Sequence, residues 1–167
     1  MSTQSANRGR GPVVFAYDGS DLAKLAIDEA GRQLAPGRAA VVLTVWHPFD
    51  VGFMPVGGVR FDAAQISDVR RAAEQTAAEG ASQAEAAGFN ARSAATEAAP
   101  TWKGIVKVAD EHDSSLIVLG SHGRTGLAGV LIGSVAEAVA AHARRSVLIV
   151  HRLDSGDSEL SSPQPRD

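Results

Sequence analysis

The large branched residues of this chain are not spread evenly. They fall into short, near-continuous apolar runs at 13–17 (VVFAY), 40–46 (AVVLTVW), 116–120 (LIVLG) and 146–151 (SVLIVH). Runs of this length without polar alternation fit strands buried on both faces, as in a parallel sheet covered by helices. A weaker fifth strand is expected at 89–94, directly after Gly88. The intervening stretches repeat at three and four residues, the helical period. Ser20 or Asp21 caps a segment carrying Ala23, Ala26, Ile27, Ala30 and Leu34 on one face, which stops near Pro36-Gly37. Asp62 opens a long helix with Ile66, Val69, Ala73, Ala77, Ala81 and Ala84 in register, and Thr101 opens another with Ile105, Val108 and Ala109 facing inward. The last helix is expected over 135–143.

Strands alternating with helices in this way predict one α/β domain, a doubly wound five-stranded parallel sheet with helices on both faces and right-handed crossovers. The expected strand order is 3-2-1-4-5, with the flavodoxin-like order 2-1-3-4-5 as the alternative.

Composition narrows the class. The 167 residues suit one domain at about 100–200 residues each, and thirty alanines account for much of the apolar fraction as helix-covering surface. Polar, Ser- and Pro-containing ends place disordered tails at 1–11 and 154–167 around a folded unit at 12–153. Sixteen Lys+Arg against nineteen Asp+Glu give a net charge of −3, so no global field favours nucleic acid or an anionic membrane. The lack of cysteine excludes disulfides and thiolate chemistry. With no apolar leader or spanning run, the expected compartment is the cytoplasm.

In open α/β sheets ligands sit at the carboxyl ends of the strands, where the order reverses. Here that means the ends of the first and fourth strands. After the fourth, the sequence GSHGRTGLAGVLIG places five glycines in fourteen residues before Ser134. Such a segment can bring backbone N–H groups close to a phosphate, or it can simply make a tight connection. The helix beginning at Gly133-Ser134 offers free N–H groups and a positive dipole end, with the Ser134 hydroxyl as a further donor. Arg124 can add charge. His122 can hydrogen-bond phosphate or sit as an ordinary loop histidine. No Walker sequence and no G-x-G-x-x-G after the first strand are present, so P-loop and dinucleotide readings fail. Asp18 ends the first strand; it can serve as a cap partner of the following helix, a role Ser20 or Asp21 can already fill, or present its carboxylate to a ligand. A receiver-type phospho-relay would need a further Asp and a Lys, where this chain has Ala95-Thr96-Glu97 and His151-Arg152.

Gly120-x-x-Gly123, nine residues, then Gly133-Ser134 resembles the signature of ATP-binding members of the universal stress protein family. The first strand ending in Asp18-Gly19-Ser20, the second ending in LTVW, the segment IVKVADEHDSSLIVLGSHGRTG and the closing SVLIVH are similar to that family in order and spacing, so the resemblance covers 13–152. It implies that Asp18 contacts the ribose or adenine side, that the Val45 backbone faces adenine, and that Gly120 and Gly123 receive the triphosphate. Gly133, Ser134 and the Val135 backbone would complete the cradle. ATP, with Mg²⁺ carried by the nucleotide, is the implied cofactor.

The five histidines show no metal-ligand spacing, and no nucleophile elbow supports a hydrolase. The segment 47–61 holds three of the five phenylalanines and is a candidate partner surface. The last strand, Ser146 to Val150, carries no edge-blocking residue, and the resemblance also implies a homodimer through it. The expected function is a nucleotide-dependent regulator acting on an unidentified protein partner. A slow ATPase or phosphotransferase, or an interaction module using 47–61, is the alternative.

Overall fold

The computed structural model describes residues 11–48, 63–122 and 132–152. The elements run β1 (Val13–Ala16), α1 (Asp21–Gln33), β2 (Ala39–Trp46), α2 (Ala63–Ala86), β3 (Asn90–Glu97), α3 (Thr101–Glu111), β4 (Leu116–Gly120), α4 (Ser134–His142) and β5 (Ser146–Val150). All pairings are parallel and the sheet order is β3-β2-β1-β4-β5. Because β1 pairs with both β2 and β4, the flavodoxin-like order is excluded.

Alternation along each strand explains why the apolar runs are continuous. Val13, Phe15, Tyr17, Val42 and Val118 enter one core with Ala26 and Ile27 of α1 and Ala81 and Ala84 of α2. Val14, Val41, Leu43, Ile117 and Leu119 enter the other, with Ile105 and Val108 of α3 and Ala136 and Val139 of α4. Every second residue therefore serves a different helical layer, which keeps the runs apolar on both faces. Alanine on α1 and α2 lets those helices lie close to the sheet.

Local signals set the boundaries. The Ser20 hydroxyl accepts the Ala23 N–H at 3.2 Å as the N-cap of α1. At α3 the cap is Pro100, with no side-chain cap bond. The fifth strand differs from expectation: β3 begins one residue later and continues to Glu97. Phe89 instead turns into the core, edge-on to Phe15 at 5.1 Å, and its N–H bonds the Ala84 carbonyl. β3 is an edge strand with small, half-wet residues, so its apolar pattern fades while its ladder with β2 runs on to Trp46 and Glu97. Gly11, which composition groups with the N-terminal tail, is already held, its carbonyl accepting from Ser115 Oγ at 2.8 Å. Among the described residues, no helix is long and apolar enough to cross a membrane.

Candidate functional site

At the carboxyl edge of the sheet, β1 leads into α1 and β4 toward α4, on opposite faces of the sheet. The chain leaves β1 at Tyr17, whose N–H still bonds the Leu43 carbonyl at 2.9 Å and whose carbonyl accepts from the buried Thr44 hydroxyl at 2.9 Å. Asp18 follows at once. Its Oδ1 accepts the Ser20 N–H at 3.0 Å, fixing the carboxylate over the turn into α1. That turn uses a left-handed backbone at Gly19, φ +80°.

Hydrogen-bond alternation settles the direction of the Val45 peptide. Leu43 turns its carbonyl to β1, and Trp46 turns its own to β3, where it accepts the Ala98 N–H at 3.1 Å. Val45, two residues beyond Leu43, therefore presents its N–H and C=O to the β1 side. The β1 ladder ends at Ala16 opposite Leu43, so these peptide groups lie beyond it. Its side chain is half-buried and lies against α3, within 3.0 Å of where a Cβ on Gly104 would sit.

Beyond β4, Ser121 anchors both ends of the Gly-rich segment. Its N–H bonds the Val150 carbonyl at 2.8 Å, and its own carbonyl accepts the Gly133 N–H at 2.7 Å. The chain thus departs and returns at one point. His122 is half-buried, with Nδ1 3.1 Å from Ser121 Oγ. Gly133 is the N-cap of α4 and has no side chain to offer as a cap. Ser134 and Val135, in the first turn, are exposed, as is Ile132 just before it. The sequence-predicted Gly123 and Arg124 lie outside the described residues.

The structure gives two of the signature glycines a packing reason. A Cβ on Gly120 would lie 2.9 Å from Leu22 Cγ and 3.2 Å from the Leu22 backbone, so α1 approaches β4 only because Gly120 has none. A Cβ on Gly133 would lie 2.8 Å from the Ser121 carbonyl oxygen. Both glycines admit neighbouring chain.

Tyr17 is 4 % exposed, and burial first, then the charges of Glu79 and Asp18, push its phenol pKa up from 10.0. Its ring position reads as core in the sequence, and only its place at a strand end hinted otherwise. A separate groove of about 750 Å³ lies between α1 and β5, lined by Leu25, Leu148 and Val150 with Lys24, Asp28 and Arg152 at its rim. None of the site residues lines it. Among the described residues, no group of three or more potential metal ligands exists.

These features define an open α/β domain whose sheet order reverses between β1 and β4. The chain belongs to the universal stress protein family, whose sequence profile matches residues 9–151. A universal stress protein of Mycolicibacterium smegmatis is 31% identical over 151 residues, covering 88% of this chain and 48% of that protein. Among solved structures, hypothetical protein MJ0577 shares the fold with a TM-score of 0.68 at 22% identity, covering 87% of this chain and 99% of the other. A universal stress protein in complex with cAMP is 29% identical with a TM-score of 0.55, covering 85% and 97%. The chain spans about half the length of the mycobacterial relatives it matches.

Proposed function

We propose that this chain binds an adenine nucleotide, ATP with its accompanying Mg²⁺, at the β1/β4 switch point, and acts as a nucleotide-dependent regulator in the cytoplasm. The observation that carries this reading is the presence of two unlike recognition elements at the carboxyl ends of β1 and β4. On one side stand the fixed Asp18 carboxylate and the outward-facing Val45 peptide, which suit the hydrogen-bonding edges of a base or sugar. On the other stands the first turn of α4, whose N–H groups suit phosphate. The related structure in complex with cAMP supports the same ligand class. Gly120, His122 and Gly133 frame the phosphate side, with Ser134 and Val135 as donors. Gly123 and Arg124 are assigned to it by the motif alone.

The test is isothermal titration of the full chain with MgATP, for the wild type and Asp18→Ala. Binding that weakens at least about tenfold, the worth of one charge-assisted hydrogen bond, supports the reading. Absence of wild-type binding would overturn it.

Self-association through β5 belongs to the same proposal. The relatives have room for about two such domains, and an Archaeoglobus fulgidus universal stress protein structure is matched over 50% of its length. Pairing with a copy of itself along the Ser146–Val150 edge of the sheet would set two such domains side by side.

A further inference from the structure

Along the apolar run of β2, Thr44 is the residue that carries a hydroxyl, and at 8 % exposure it is buried. A hydroxyl in the middle of a covered sheet costs free energy unless it is bonded, and valine would fill the same space without that demand. The pairing of β1 with β2 shows what the hydroxyl does. The two strands run in parallel register from Val13 opposite Ala40 to Ala16 opposite Leu43, and the Tyr17 N–H still reaches the Leu43 carbonyl at 2.9 Å. A further rung would bring the Val45 N–H to the Tyr17 carbonyl. That rung does not form. The Tyr17 carbonyl accepts instead from Thr44 Oγ1 at 2.9 Å, and no backbone donor reaches it among the described residues. The hydroxyl thus stands in for the Val45 N–H: the last carbonyl of β1 is satisfied, and the Val45 N–H is released from the ladder.

The same bond acts on Asp18. The Tyr17 carbonyl belongs to the peptide that joins Tyr17 to Asp18, so holding it sets the direction in which Asp18 leaves the sheet. From there Asp18 Oδ1 takes the Ser20 N–H at 3.0 Å, Gly19 turns with φ +80°, and Ser20 caps α1. One buried hydroxyl therefore orients two groups of the site that lie on different strands.

We infer that Thr44 is a positioning residue for base recognition: by occupying the Tyr17 carbonyl, its hydroxyl keeps the Val45 peptide free for the base of a bound nucleotide and holds Asp18 beside it. The inference rests on the nucleotide reading above and assigns its selectivity to a residue whose own hydroxyl is spent inside the chain. The Val45 N–H and C=O, facing one way, form a donor beside an acceptor. Adenine presents the complementary acceptor and donor along its pairing edge, whereas hypoxanthine presents the same two positions with the roles exchanged. A site that hydrogen-bonds one pattern rejects the other, because its own groups are then left unpaired.

Thr44→Val keeps the shape and removes the donor, while Thr44→Ser keeps the donor. Both variants and the wild type are titrated calorimetrically with MgATP and with the magnesium complex of inosine triphosphate. The wild type is expected to favour ATP by about tenfold or more. Thr44→Val should bind both nucleotides more weakly, through Asp18, and lose most of the preference for ATP, through Val45; Thr44→Ser should retain it. A valine variant with the wild-type ratio, or a serine variant without it, would overturn the inference and leave nucleotide binding standing. Amide hydrogen exchange in the absence of nucleotide reads the geometry directly. The Val45 N–H should exchange at least about tenfold faster in the wild type than in Thr44→Val, where the Tyr17 carbonyl is open to it. Equal exchange in the two would also overturn the inference. Failure of the wild type to bind either nucleotide would overturn both readings.

Discussion

Replacing Gly133 by alanine separates two explanations of the signature glycines. The added methyl would lie 2.8 Å from the Ser121 carbonyl oxygen and 3.5 Å from His122 Cα, both backbone atoms that a side-chain rotation cannot clear. Relief requires the departing and returning strands of the Gly-rich segment to part, which stretches the 2.7 Å bond from the Gly133 N–H to that same oxygen. Overpacking of this kind costs about 1–3 kcal/mol, and the weakened bond adds about 1 kcal/mol. At about 2–4 °C per kcal/mol for a chain of this size, the unliganded melting temperature should fall by about 10 °C. Thermal unfolding followed by circular dichroism, without nucleotide, measures it. Gly37→Ala is the control: its φ is +78° but nothing lies within 4 Å of the new methyl, so only the left-handed strain of about 1–2 kcal/mol applies. If Gly133→Ala melts within a degree or so of the wild type and loses only its response to ATP, the glycine exists for the ligand alone and the packing argument is wrong.

Other consequences are simpler to check. Ser114 is 1 % exposed and its Oγ lacks a partner, so Ser114→Ala should stabilise the fold by about 1 kcal/mol in denaturant titration. The fold favours the neutral Tyr17 phenol. Its contribution is therefore complete below the unfolded value of 10.0 and is lost as pH rises through the raised folded value. The melting temperature should decline above pH 10.0, and less steeply in Tyr17→Phe. Ser146→Lys places a charge at the exposed start of β5, and light scattering should find less self-association than in the wild type if the chain pairs through that edge.

Much of this architecture is legible from residues because burial on both faces leaves a strong mark. Val13–Ala16, Ala39–Trp46 and Leu116–Gly120 are central strands and read as apolar throughout. β3 marks the limit: as a half-wet edge it is written in Ala, Ser and Thr, and its extent is set by the β2 ladder rather than by its own pattern. At the site, Asp18 and Gly133 stand out by position. The direction of the Val45 peptide follows from where the β1 ladder ends, marked in the sequence only by the Thr44 hydroxyl in an apolar run. Tyr17 looked like one more core aromatic because its distinguishing feature is a relation to Gly80 and Glu79, some sixty residues away. The packing role of Gly120 likewise depends on Leu22 in a different element.

Nucleotide occupancy of the β1/β4 switch point is the claim on which the rest depends. With ligand at about a hundred times its dissociation constant, binding would stabilise the fold by about 2.7 kcal/mol, enough for occupancy itself to act as a signal. Native mass spectrometry of the full chain with MgATP tests this most directly. The account predicts one adenine nucleotide per chain, retained in the wild type and lost in Asp18→Ala. A wild-type spectrum showing only the bare polypeptide mass, at nucleotide concentrations well above micromolar, would contradict it.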